Sequence, residues 1–166
     1  MQSPLWAPWR MAYIGGEKPK GCIFCDFPAA PEADDQKNLI VHRSPHAFAI
    51  LNRYPYNSGH LMVVPRRHVS DLSLLPADAW AELGDELRRA AAVLRAVYRP
   101  EGINVGMNLG KAAGAGIEEH LHWHLVPRWV GDNNFMPVLA DIRVMVDHLD
   151  TTWEKLRAGY AASEGP

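Results

Sequence analysis

Apolar and polar positions alternate most sharply over His120–Arg128, where Leu121, Trp123 and Leu125 fall between His120, His122 and His124. Residues two apart share one face of a strand, so this spacing predicts a strand with three imidazoles on one side and apolar groups on the other. Asn38–Arg43 and His46–Asn52 read as two further strands with a turn at Ser44–Pro45. His60–Pro65 reads as a third, entered through the turn Tyr54–Gly59. The period changes over Ser73–Tyr98. There Leu83, Leu87, Ala90, Ala91, Leu94 and Val97 recur at helical spacing, Pro76 and Asp78 suit the first turn, and Pro100 and Gly102 end the run. Ile103–Leu109 is a strand joined to the histidine strand by the glycine-rich loop Gly110–Gly116, and Leu139–Arg157 is a closing helix. Residues 15–38, rich in Gly, Pro, Lys and Asp, read as a loop region interrupted by Gly21–Cys25. Hairpin strands, one long central helix, a second hairpin and a C-terminal helix make an α+β fold with an antiparallel sheet.

Length and charge narrow the function. With 166 residues the chain suits a single domain, 1–166, divided into an extension over 1–37, a core over 38–135, and a helix and tail over 136–166. Seventeen Lys and Arg against nineteen Asp and Glu leave a net charge of -2, which argues against nucleic acid as a partner. Apolar runs reach only about five residues, far below the roughly 20 a membrane helix needs. Met1–Pro4 starts no secretory signal, so the expected location is cytoplasmic.

Eight histidines and a single Cys pair change the picture further. Three imidazoles at period two repel one another when protonated, an arrangement that a metal or an anionic substrate would justify. Cys22 and Cys25 cannot staple a fold of this size. By themselves they suit half of a zinc site, a redox motif or two buried thiols, although the βαβ setting of a thioredoxin-like role is missing from this sequence. His42, His46 and His148 have no partner pattern and read as surface residues, Arg88–Arg89 as a solvated part of the helix, and Trp123 as core. Trp6, Trp9 and Trp129 suit either adenine stacking or a subunit contact.

The run His120–Val126 resembles the triad His-φ-His-φ-His-φ-φ (φ, apolar) of the histidine triad (HIT) superfamily. His60 in Gly59–Pro65 is similar to that family's second signature, and Asn52 to its ribose-contacting position. The flanks Leu5–Met11, Leu51–Asn57 and Pro127–Phe135 resemble a bacterial branch similar to diadenosine tetraphosphate phosphorylases. The resemblance implies a HIT fold, a homodimer, and cleavage of adenosine-containing polyphosphates at the α-phosphate with phosphate or water as acceptor. It implies His122 as nucleophile forming a nucleotidyl-imidazole, His124 beside the leaving group, and His60 polarising the phosphate. Asn52, Asn108, Lys111, Gly114 and Gly116 are the implied nucleotide contacts. Cys22, Cys25, His68 and His120 are the implied ligands of a structural zinc. One stretch departs from the pattern. Where many members carry Gly-Gln-Ser or Gly-Gln-Thr before the triad, this chain has Ala115-Gly116-Ile117, and isoleucine has no hydroxyl to offer a leaving nitrogen. That weighs against a nucleoside phosphoramidate hydrolase. A non-catalytic nucleotide-binding module would not need the intact row.

Overall fold

A computed structural model describes residues 21–132, 145 and 147–163. Five strands, β1 (Ile40–Arg43), β2 (Ala47–Leu51), β3 (Leu61–Pro65), β4 (Gly102–Gly106) and β5 (Trp123–Arg128), form one antiparallel sheet in the order β1-β2-β3-β5-β4. The α+β class read from the sequence is the observed one. The first three strands form a meander, and the long helix then carries the chain across to the far edge, where β4 and β5 return as a hairpin. β5 thereby enters the middle of the sheet against β3. Register pairs Met62 with His124 and Val63 with Trp123, so His124 shares its face with Met62, and Trp123 shares the opposite one with Val63.

Among the described residues there are four helices: α1 (Ile23–Ala29), α2 (Asp35–Asn38), α3 (Ala77–Tyr98) and α4 (Leu149–Ser163). Helix α3 lies on the Trp123 face, burying Leu83, Ala90, Val93 and Leu94, with Trp80 against Trp123 at 5.5 Å between ring centroids. Helix α4 packs on α3 and closes the β1 edge of the sheet. Trp153 Nε1 donates to the Ile40 carbonyl (2.7 Å) and Arg157 Nη1 to the Val41 carbonyl (3.2 Å). Among the described residues no further strand pairs with the β4 edge, where Val105 is 55% exposed. No helix among the described residues is long and apolar enough to cross a membrane.

Several expectations need correction. The loop expected up to residue 38 contains α1, a 3-10 turn at Glu32–Asp34, and α2. Tertiary contacts make this segment helical where its composition does not. Phe24 is buried, and Arg43, paired with the buried Asp35 carboxylate at 2.6 Å, donates to the carbonyls of Pro28 (2.7 Å) and Ala30 (3.1 Å). The long helix starts at Ala77 because Pro76 is extended and serves as its cap, and Leu72–Leu74 is a separate 3-10 turn. β4 ends at Gly106, which pairs with His124 near the start of β5. The closing helix begins at Leu149, since residues 145, 147 and 148 are not helical. Positions 139–144 and 146 of that expectation, like Trp6 and Trp9, lie outside the described residues.

His42 is buried, not at the surface. It stacks on Tyr160 at 4.7 Å and sits 3.6 Å from the buried Glu86 carboxylate. Arg89, expected in solvent, reaches His42 Nε2 at 3.1 Å, whereas Arg88 is exposed as expected. His46 is exposed, with Glu82 at 3.2 Å, and His148 is exposed too.

Candidate active site

Only His124 of the three alternating histidines lies within a regular strand. β5 begins at Trp123, and Leu121 and His120 before it are held by other partners. Leu121 N–H donates to the Val69 carbonyl (2.8 Å), and the His120 ring donates through Nε2 to the Pro65 carbonyl (2.8 Å). The chain stays extended enough to keep the row together. The His122 and His124 rings are 5.0 Å apart, and His60, entering β3 beside them, is 5.1 Å from His124. His60 is 1% and His122 6% exposed. Phe24 of α1 packs against both His120 (5.5 Å) and His122 (5.1 Å).

Hydrogen bonds decide where each neutral ring carries its proton. A carbonyl only accepts, so His122, with Nδ1 at 2.8 Å from the His120 oxygen, holds its proton on Nδ1 and keeps a lone pair on Nε2. A backbone N–H only donates, so Tyr56 N–H, 3.0 Å from His60 Nδ1, puts the His60 proton on Nε2. That proton points at His124 Nδ1, 2.9 Å away, and leaves the His124 proton on Nε2. The row thus offers one nucleophilic nitrogen, on His122, and one donor N–H, on His124.

The rings stay neutral because they are largely buried and crowded together. Burial, then the nearby His124 and His122, pulls His60 down to about 3. Burial first and His122 second bring His124 down to about 4, and burial lowers His122 against the opposing bond to the His120 carbonyl.

A second cluster adjoins the row through His120. Its Nδ1 lies 3.3 Å from Cys22 Sγ and 3.6 Å from Cys25 Sγ, and His68 Nδ1 is 3.3 Å from Cys25 Sγ. One donor atom from each of the four residues lies within 4.8 Å of every other. Tetrahedral bonds of about 2.3 Å to sulfur and about 2.0 Å to nitrogen would set sulfur–nitrogen separations of about 3.5 Å. The four residues therefore fit a metal, and with four protein ligands the site is closed. The Pro65 carbonyl holds the His120 Nε2 proton and leaves Nδ1 free to ligate. Burial, and then the neighbouring Cys22 sulfur, pushes the Cys25 thiol up to about 11. A bound cation reverses that balance.

Residues expected at the nucleotide are more scattered. Asn52 sits beside His60, its N–H donating to the His60 carbonyl (3.0 Å), while its side-chain oxygen accepts from Tyr54 N–H (2.9 Å). Asn108 Nδ2 reaches the Gly114 carbonyl at 3.4 Å, and Gly114 has φ +91°, a left-handed value that suits glycine. Lys111, in a 3-10 turn, and Gly116 are exposed on the same loop. Three contributors escaped the sequence reading. Tyr56 acts through a backbone amide that every residue type but proline owns. Phe24 depends on a helix that composition hides. The Pro65 carbonyl carries no sequence signal at all.

Residues 33–130 match the HIT domain family. Over 163 residues the chain is 41% identical to the AP-4-A phosphorylase of Mycobacterium tuberculosis, covering 95% of this chain and 84% of that protein. An uncharacterized HIT-like protein of Saccharolobus solfataricus is 31% identical over 115 residues, 69% of this chain and 79% of its own. The fold superposes with a TM-score of 0.68 on the crystal structure of a Zn-bound histidine triad family protein from Mycobacterium smegmatis. That protein is 28% identical, with 87% of this chain and 96% of that one covered.

The depressed histidines make stability depend on pH. An ordinary histidine titrates at 6.5, against about 3 for folded His60 and about 4 for folded His124. Below about 6.5 the unfolded chain binds more protons, so the contribution present above that pH is lost as pH falls towards 4 and then 3. Melting temperature is expected to drop from about pH 7 to about pH 4, and His60→Gln to flatten that dependence. An unchanged slope in the variant contradicts the assignment.

Proposed function

The chain belongs to the HIT domain family and is a nucleotide-processing enzyme, and from that premise we propose that it cleaves dinucleoside polyphosphates of the diadenosine tetraphosphate type by phosphorolysis through His122. The observation that carries the reading is the proton pattern of the row: an unprotonated Nε2 on His122 beside a protonated Nε2 on His124. The identity to an AP-4-A phosphorylase supports the substrate class.

In the first step His122 Nε2 attacks the α-phosphorus, and the bond to the bridging oxygen breaks, leaving a nucleotidyl-imidazole and ATP. The Nδ1–H bond to the His120 carbonyl stabilises the positive charge that develops on the attacking ring. His124 donates a hydrogen bond to the departing oxygen. A ring with its pKa at about 4 transfers a full proton only from its charged form, which is scarce at neutral pH. Hydrogen bonding suffices for a phosphate leaving group, whereas an amine needs a proton. This, together with Ile117 where a hydroxyl would be needed, favours polyphosphates over phosphoramidates. In the second step inorganic phosphate attacks the intermediate and releases ADP. Water in its place would release AMP. Asn52 is assigned to the ribose, and Asn108, Lys111, Gly114 and Gly116 to the phosphates, with Lys111 and loop N–H groups holding the acceptor anion.

We assign zinc to Cys22, Cys25, His68 and His120, with a structural role, because a closed Cys₂His₂ set leaves no position for substrate. When bound, the ion supplies folding energy and pins α1 beside the nucleophile. A thiol pair held reduced for a metal suits the cytoplasm. The homodimer is assigned to the open β4 edge, since α4 closes the other one.

Product chromatography of diadenosine tetraphosphate at rising phosphate is expected to show faster turnover and a shift from AMP plus ATP towards ADP plus ATP. His122→Ala is expected to lower both by about 10⁴-fold or more. AMP as the sole partner of ATP at millimolar phosphate would make the protein a hydrolase.

Metal analysis is expected to find about one zinc per chain, and Cys22→Ser to lose the ion together with melting temperature. Equal melting temperatures with and without metal rule out the structural role. For the dimer, sedimentation velocity is expected to show two chains, and Val105→Lys to yield monomers. A variant that sediments as the parent does moves the interface elsewhere.

A further inference from the structure

The donor on His124 exists only because His60 has its proton on Nε2, and His60 has it there only because Tyr56 N–H occupies Nδ1. That amide belongs to the turn 52–60, outside the sheet. Two backbone bonds close the turn, Asn52 N–H to the His60 carbonyl (3.0 Å) and His60 N–H to the Asn57 carbonyl (3.1 Å). One side chain fastens it to the strand that carries the row. Asn57 Nδ2 donates to the Pro127 carbonyl on β5 (3.0 Å) and to Asp132 Oδ2 (3.0 Å), while Asn57 Oδ1 accepts from Ser58 N–H (3.0 Å). The Asp132 side chain, 7% exposed, is itself held by Arg128 through Nε (2.6 Å) and Nη2 (3.0 Å) and by Trp129 N–H (3.3 Å). Arg128 in turn reaches Asn104 on β4 (3.0 Å).

We propose that Asn57 and Asp132 are positioning residues for leaving-group departure, clamping the 52–60 turn to β5 so that Tyr56 N–H imposes the His60 tautomer and, through it, the donor on His124. The inference rests on the reading of His124 given above. The clamp works by sign as well as by distance. If Tyr56 N–H drifts from Nδ1, His60 can take its proton there, and its Nε2 becomes an acceptor. His124 Nδ1 must then donate, and its Nε2 presents a lone pair to an anionic leaving group. A contact that stabilised the departing oxygen becomes one that repels it. Among the described residues the groups facing His60 are His124, His122 and the Tyr56 ring, 4.6 Å from its own.

Asn57→Asp tests this in the full-length protein, because it removes both Nδ2 donors and keeps the oxygen that caps Ser58 N–H. The expected result is a loss of about 10–100-fold in kcat on diadenosine tetraphosphate with KM little changed, the scale of a misplaced catalytic group. The 4-nitrophenyl ester of AMP, whose leaving group departs without a donor, should be turned over almost normally. Nitrogen-15 spectra of the imidazoles should show His60 changing from one tautomer to a mixture. Combining Asn57→Asp with Asp132→Asn restores a donor–acceptor pair in reversed order and should recover part of the loss. Asp132→Ala removes one of the two acceptors of Asn57 Nδ2 without touching the turn and leaves the bond to the Pro127 carbonyl, so it is expected to give a smaller loss of the same kind, and it serves if Asn57→Asp does not fold. Equal loss on both substrates, or an unchanged His60 tautomer, overturns the clamp. His124→Gln separates the two levels of inference. If it discriminates between the substrates and Asn57→Asp does not, the clamp alone is wrong. If it does not discriminate, the leaving-group role of His124 falls and the clamp falls with it.

Discussion

Imidazoles buried about 5 Å apart cannot all carry charge, and the site depends on that prohibition. A protonated histidine would be a poor nucleophile and would repel its neighbours. A neutral one has a single proton and therefore a direction. Burial under the sheet face and against Phe24 is the means by which the fold turns a row of bases into a row of oriented dipoles. The aromatic cover, the meander that brings His60 beside β5, and the insertion of β5 in the centre of the sheet all serve the same end.

Orientation comes almost entirely from the backbone. The His120 carbonyl, the Pro65 carbonyl and the Tyr56 amide each specify one proton, and between them they set all four rings of the row and its neighbour His60. Backbone groups are well suited to this because they neither titrate nor rotate freely. The electrostatic pattern presented to a phosphate is therefore built into the course of the chain before any ligand arrives, which is the condition for low reorganisation during reaction.

What could be read in advance follows from this division. Period-two histidines and the helical repeat of Leu83, Leu87 and Leu94 are side-chain signals, and both led to elements close to those observed. The hairpins could be inferred from turn residues because they are local, whereas the pairing of β5 with β3 has no such signal. The segment around α1 could not, since its helix depends on Phe24 finding a pocket and on Arg43 reaching carbonyls from another element. The burial of His42 has no sequence pattern for a related reason: its stacking partner Tyr160 and the Glu86 carboxylate come from two helices that meet only in the folded state. The turn at Tyr56 and Asn57 looked like punctuation, because a backbone amide and a carboxamide have no pattern to betray a role.

His120 bears on two chemistries through different atoms. Its side chain faces the thiols, while its carbonyl faces His122. The first depends on residue identity; the second belongs to any amino acid at that position. The two roles are therefore genetically separable. Exchange of this one side chain, along with Cys22, Cys25 and His68, would remove the four-residue cluster and leave the acceptor that orients His122 in place. A fold with that property can vary how it is held together across lineages without renegotiating how it reacts.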